Sequence, residues 1–264
     1  MRIFPLHKYS GFIFDLDGTL YRGENIIPKA DITINTLRKL NKRLVFISNK
    51  TTGTCKEYSD FLNKYGMKIS ENEIINSTYV IKKYLTSNYS GKNFYSISEK
   101  IFIEEINKGG LKFSDNPEKI DIVIVTLDRT FNYIKLEIAA KALDNGAKFF
   151  AANIDNTCPV EKGEIIDAGS TISALEKRTG RKLEKHFGKP SKFMIEEIKK
   201  YLKLNSAECI IIGDRIETDI AMGNKFGIDT ALVLSGVKNP ISQFSEIKPT
   251  YRINSVFDLI KNVK

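Results

Sequence analysis

The sequence predicts an α/β fold: a Rossmann-like core on a mostly parallel sheet, with a second, smaller α/β unit inserted into it. Two observations predict this. Strand-length apolar runs alternate with helix-length amphipathic stretches along the 264 residues, the pattern left by crossover-connected parallel strands. The texture also changes after Thr78 and returns from His186. That places the core at both ends, residues 1–79 and 184–264, and the insert at residues 80–183. No fixed-period repeat or low-complexity tract competes with this parse.

Gly11–Phe14 is the first strand, a short apolar run closed by polar residues. A helix follows Pro28, because Ala30, Ile34, Leu37 and Leu40 recur at helical spacing, and Asn41 ends it. Arg43–Ile47 is the next strand and stops at Ser48-Asn49. Thr54 and Glu57 have capping-box spacing, opening a helix through Tyr65 with Gly66 as its stop. After Ile74–Thr78, the polar stretch Lys82–Lys92 ends in Ser-Asn-Tyr-Ser-Gly and reads as the crossing into the insert. Within the insert, strands Asn93–Ile97, Ile120–Leu127 and Lys148–Ala152 alternate with helices Glu99–Asn107, Tyr133–Asn145 and Ser170–Arg178, the last stopped by Gly180. The core resumes with helix Lys192–Leu202, strand Cys209–Ile212, helix Thr218–Phe226 and strand Thr230–Leu234, and closes with a helix over Ser255–Asn262.

Composition narrows the function classes. Hydrophobic residues make up 42% of the chain, enough for a substantial core. The longest apolar run, Ile120–Leu127, is strand-length, far short of the roughly 18 residues a membrane span needs. Met1–Tyr9 lacks the apolar segment of a signal peptide. A soluble, cytoplasmic protein is expected, without a membrane partner. Cys55, Cys158 and Cys209 are far apart and show no metal-binding or disulfide spacing. Neither histidine, His7 or His186, has a sequence feature tying it to Cys158 as a catalytic base. The net charge of +9 comes from scattered lysines such as Lys82-Lys83 and Lys199-Lys200. It reads as a solvated surface that favours a small anionic substrate, not as a nucleic-acid stripe.

The chemistry sits at the ends of the core strands. Asp15-Leu16-Asp17-Gly18-Thr19-Leu20 follows the first strand, and residues i and i+2 of extended backbone point the same way. Both carboxylates can therefore face one reacting group, and Gly18 lets the chain turn beside them. Read singly, each aspartate is equally a turn or cap residue. Ser48-Asn49 ends the second strand, Gly188-Lys189-Pro190 opens a helix, and Gly213-Asp214-Arg215 with Thr218-Asp219 follows Cys209–Ile212. In open parallel sheets ligands bind beyond the carboxyl ends of strands, where three of these groups lie. Clustered carboxylates suit a hard cation, Mg²⁺ in particular. A hydroxyl and a lysine suit phosphate oxygens. One carboxylate can attack phosphorus and a second can move the proton. Together these residues describe metal-assisted phosphate transfer through an aspartyl intermediate.

These four motifs resemble those of the haloacid dehalogenase (HAD) superfamily. The segment from Ala152-Asn153-Ile154-Asp155 through Gly163 to Ala168-Gly169-Ser170 is similar to the inserted α/β cap of its NagD-like, 4-nitrophenylphosphatase branch. The resemblance implies a HAD core with a substrate-specificity cap and a Mg²⁺-dependent phosphatase of small phosphorylated metabolites. It implies Asp15 as nucleophile and metal ligand, and Asp17 as general acid/base that reaches the metal through its carbonyl. Ser48 and Asn49 would bind the phosphoryl group, and Lys189 would neutralise it. Asp214 would ligate the metal with Asp219 in support, and Asn153 and Asp155 would face the substrate from the cap. Similar proteins form cap-mediated homodimers, so a homodimer is a further expectation. Lys50, Ile154 and Asp167 depart from the branch's usual Asn, Pro and Gly. The competing readings are a phosphomutase and a non-catalytic phospholigand-binding protein on the same fold.

Overall fold

Two parallel sheets joined through one apolar layer organise the chain. The computed structural model describes residues 4–160, 163–237 and 246–263. Its strands are β1 (Gly11–Asp15), β2 (Tyr21–Arg22), β3 (Asn25–Ile26), β4 (Arg43–Ser48), β5 (Ile74–Asn76), β6 (Asn93–Ile97), β7 (Lys112–Phe113) and β8 (Ile122–Val125). They continue with β9 (Lys148–Ala151), β10 (Thr157–Val160), β11 (Gly163–Ile166), β12 (Lys185–His186), β13 (Cys209–Gly213), β14 (Asp229–Val233) and β15 (Tyr251–Ile253). The helices are α1 (Ala30–Lys39), α2 (Cys55–Asn63), α3 (Ser77–Tyr89), α4 (Lys100–Lys108), α5 (Tyr133–Asp144), α6 (Ala168–Thr179), α7 (Lys192–Leu202) and α8 (Ala221–Phe226). Among the described residues, no helix is long and apolar enough to cross a membrane.

The larger sheet has strand order β15-β14-β13-β1-β4-β5, and every neighbouring pair is parallel. The smaller has order β12-β9-β8-β6-β7, also parallel throughout. This is the expected fold class. Successive residues of a strand face opposite sides, and β1 shows why both sides are covered. Phe12 and Phe14 enter one core with Phe46, Ile210, Ile212 and the Ile34 and Leu37 stripe of α1. Ile13 enters another with Val45, Ile47 and Ile211. That second core runs on through Val80, Ile81 and Leu85 of α3 and Ile195 and Ile198 of α7 to Phe94, Ile122, Ile124 and Phe150 of the smaller sheet. The other face of the smaller sheet packs against α5 and α6.

Register sets the site. Asp15 pairs with Ile47 and Phe14 with Ile212. Asp15, Ser48 and Asp214 therefore leave the larger sheet at one edge, the carboxyl edge.

Several expectations change. Lys82–Lys92 is mostly helical, as part of α3, because Val80, Ile81 and Leu85 give an otherwise polar stretch a buried stripe. The changeover expected at residue 80 falls inside that helix. The closing helix over Ser255–Asn262 shrinks to a 3-10 turn, Val256–Leu259. Its two buried residues, Val256 and Leu259, are three apart, which a 3-10 turn aligns. The helix expected over Thr218–Phe226 begins as a π turn, Ile216–Ile220, in which Ile220 N–H reaches the Arg215 carbonyl at 3.2 Å. The hairpins β2–β3 and β10–β11 and the short strands β7, β12 and β15 add to the expected set. Runs of two to four residues are too short to show a period.

The joint between the sheets is aromatic. Phe187 is fully buried with Phe193, Tyr84 and Phe150 ring centroids at 4.6, 4.9 and 5.9 Å. Phe187→Ala should cost about 3–5 kcal/mol of stability. Urea unfolding of the variant against the parent protein checks this.

Candidate active site

Lys189 is the centre of the site. It is 3% exposed, and its ammonium lies 2.5 Å from Asp15 Oδ1 and 2.8 Å from Asp219 Oδ1. Asp15 comes from the last position of β1 and Asp219 from the π turn, 30 residues beyond Lys189. The π turn matters here because it turns Asp219 back toward the sheet, where its Oδ2 also accepts the Arg215 N–H at 3.2 Å. Thr19 Oγ1 donates to Asp15 Oδ2 at 3.2 Å. Both oxygens of Asp15 are thus held.

Ligand atoms of Asp15, Asp214 and Asp219 lie within 4.8 Å of one another, all buried. Three carboxylates around one ammonium leave two negative charges unbalanced if all are ionised. Their proton affinities reflect this. Burial, then the Asp219 and Asp17 charges against the opposing pull of Lys189, pushes Asp15 up to about 7. Burial and the Asp15 and Asp219 charges hold Asp214 well above the ordinary carboxylate range. Burial disfavours the Lys189 cation, but Asp15 and Asp219 more than offset it and raise its pKa. Hard oxygen donors in a buried, over-negative cluster fit a divalent cation. The backbone is shaped to the same end. A Cβ on Gly18, which has φ 84°, would stand 2.2 Å from Asp214 Oδ2, and one on Gly236 would stand 2.0 Å from it. Only glycine permits that approach.

The remaining predicted residues surround this cluster. Asp17, Ser48, Asn49 and Asp155 line a cavity of about 50 Å³ together with Asp15, Lys189 and Asp214. Asp17 forms an ion pair with Lys50, while its Oδ1 is buried without a hydrogen-bond partner among the described residues. Ser48 Oγ accepts the Lys50 N–H at 3.1 Å. Asn49 is a junction. Its Oδ1 accepts from Lys189 N–H at 2.7 Å and Ser77 Oγ at 3.3 Å, and its Nδ2 donates to Asp155 Oδ2 at 2.7 Å. Asn153 is brought close but stands behind the wall, donating to Asp155 at 3.0 Å and Asp167 at 2.9 Å.

Seven residues lining the cavity had no predicted role. Lys50 and Asp167 were visible as departures from the family pattern, and Arg215 as part of a motif. Asp167 caps α6 by accepting Ala168 N–H at 2.6 Å, and burial beside Asp155 pushes it up to about 6. Cys158 lines the cavity as a neutral thiol, pushed up to about 12 by burial. Arg215 and Thr218 bring buried polar atoms without hydrogen-bond partners among the described residues, Nη2 and Oγ1. No local sequence signal marks an atom left over by packing.

Known proteins share this architecture. The family described as haloacid dehalogenase-like hydrolase matches residues 12–112, and that described as HAD-hydrolase-like matches residues 186–259. The chain is 34% identical to the sugar-phosphatase AraL of Bacillus subtilis, over 99% of this chain and 97% of that protein. The structure of 4-nitrophenylphosphatase from Thermotoga maritima matches with a TM-score of 0.90 and 28% identity, covering 98% of this chain and 99% of that one. Glycerol phosphate phosphatase from Mycobacterium tuberculosis, solved in complex with magnesium, matches at 0.85 and 25%, covering 96% and 77%.

The raised carboxyls also set a pH dependence of stability. Asp15, Asp167 and Asp214 hold protons more tightly folded than unfolded, where the ordinary value is 3.8. Folding therefore takes up protons between about pH 4 and 7, and stability falls as pH rises through that window. His186, which burial holds below its ordinary value, acts in the opposite direction, and the lowered Glu99, Glu105, Glu176, Glu197 and Asp229 do so only at the acid end, up to the ordinary glutamate value of 4.5. The thermal midpoint of metal-free protein should be lower at about pH 8 than at about pH 5. Asp214→Asn should flatten the slope in the same calorimetric series.

Proposed function

We propose that this chain, which belongs to the haloacid dehalogenase-like hydrolase family and is a phosphatase of its NagD-like branch, hydrolyses small phosphate monoesters through an aspartyl-phosphate on Asp15, with Mg²⁺ as cofactor. The observation that carries this reading is the Asp15 carboxylate, fixed by Lys189 and Thr19 and grouped with Asp214 and Asp219. In this reading residues 1–79 and 184–264 are the catalytic core and residues 80–183 the cap that faces the substrate.

An Asp15 oxygen attacks phosphorus, and the bond from phosphorus to the ester oxygen breaks. Asp17, as the general acid, passes a proton to the departing alkoxide, so the alcohol leaves neutral. The unpartnered Oδ1 of Asp17 is the atom available for that transfer. Asp17, now a carboxylate, accepts a proton from water as the water oxygen attacks phosphorus. The bond from phosphorus to Asp15 breaks and returns the free carboxylate with inorganic phosphate. Ser48 and Asn49 present a hydroxyl and an amide to the phosphoryl oxygens, and Lys189 balances their charge. Asp15, the Asp17 carbonyl and Asp214 would hold Mg²⁺, with Asp219 supporting from behind Lys189. When bound, the ion supplies positive charge against the phosphoryl oxygens and lets Asp15 and Asp214 stay ionised together.

Purified protein should hydrolyse 4-nitrophenyl phosphate with Mg²⁺ and lose this activity on chelation. Asp15→Asn should lower kcat by about a thousandfold or more while Mg²⁺ still raises the thermal midpoint. An Asp15→Asn enzyme that turns over at the parent rate removes the nucleophile from the scheme.

A further inference from the structure

Resting on that phosphatase reading, we propose that the leaving-group side of the cavity takes an ester carrying a second anionic group, a carboxylate or another phosphate, read by Arg215 and Lys50.

The guanidinium of Arg215 faces the site with an unmet donor, although the Asp155 and Asp214 charges also act on it. Arg215 is 9% exposed and lines the cavity. Its Nη2 is buried and makes no hydrogen bond among the described residues. Its ion-pair partners are distant and open to solvent: Glu217 at 3.4 Å from Nη1 and Glu164 at 3.7 Å from Nη2, with side chains 36% and 47% exposed. A buried donor left unmade is costly, and a charged donor more so. An acceptor arriving with the substrate removes that cost.

Lys50 supplies a second cation on the same cavity. Its ammonium engages Asp17 but keeps 23% of its side chain open. The Cys158 thiol on β10 is within electrostatic reach of both Lys50 and Arg215 and contributes no charge of its own. Besides Asp15, Asp17 and Asp214, which the reaction uses, two acidic groups line this cavity, and both are engaged. Asp155 Oδ2 accepts from the Asn49 and Asn153 amides, and Asp167 Oδ1 accepts from Asn153 and the Ala168 N–H. The forked guanidinium matches a planar carboxylate or a phosphate better than a lone hydroxyl. A cavity of about 50 Å³ keeps that second group a short chain from the ester.

The test compares kcat/KM, with Mg²⁺, for phosphoglycolate, hydroxyethyl phosphate and ethylene glycol bisphosphate. All share a two-carbon alcohol and differ in what stands at its far end. The parent enzyme should prefer at least one doubly anionic ester over hydroxyethyl phosphate by about tenfold or more. Whichever of the two is preferred identifies the anion. Arg215→Gln should bring that ratio toward one, with Arg215→Lys between. General damage to the fold would slow every ester alike and leave the ratio in place. A parent ratio at or below one, or a ratio that Arg215→Gln leaves unchanged, overturns the proposal. Hydrolysis of 4-nitrophenyl phosphate with no anionic preference defeats this inference alone, whereas no hydrolysis of any ester defeats the parent reading with it.

Discussion

A lysine ammonium sealed between two carboxylates is the constraint on which the rest of this molecule depends. Lys189 bonds Asp15, 174 residues away in sequence, and Asp219, 30 residues away. Burying three charges is tolerable only while the pairing is complete, and removing one partner of such a pair typically costs about 3–5 kcal/mol. The end of β1, the loop at Gly188 and the π turn after β13 must therefore all reach their places for any one of them to be tolerable. Folding and the assembly of the reacting centre are one requirement.

Asn49 carries that requirement across to the smaller sheet. Its amide ties Lys189 and Ser77 on the core side to Asp155 on the far side. Ser77 opens α3, and α3 buries Val80, Ile81 and Leu85 in the apolar layer common to both sheets. A polar junction at the cavity and an aromatic joint around Phe187 thus hold the same two layers at different depths. The cavity wall contributed by β10 and Asp167 is positioned by elements that also hold the core together.

Much of this was legible before any coordinates. The strands β1, β4, β13 and β14 announce themselves as buried apolar runs, and parallel pairing then puts whatever follows them at one edge. That is why Asp15, Ser48 and Asp214 could be grouped from their places after strands alone. What could not be read depends on contacts between distant segments. The helical part of Lys82–Lys92 is decided by a stripe that begins before it. The Lys50–Asp17 pair joins two loops with no shared pattern. The bonds by which the Asn153 amide orients Asp155 and Asp167 cross a loop and the start of a helix. The unsatisfied Nη2 of Arg215, like Oδ1 of Asp17 and Oγ1 of Thr218, is a remainder of packing between distant segments.

Gly18 and Gly236 clasp the Asp214 carboxylate so closely that it has no room to retreat. A side chain placed at either glycine would push this carboxylate out of its cluster with Asp15 and Asp219. The arrangement of the acidic groups is thus written partly in the absence of two methyl groups.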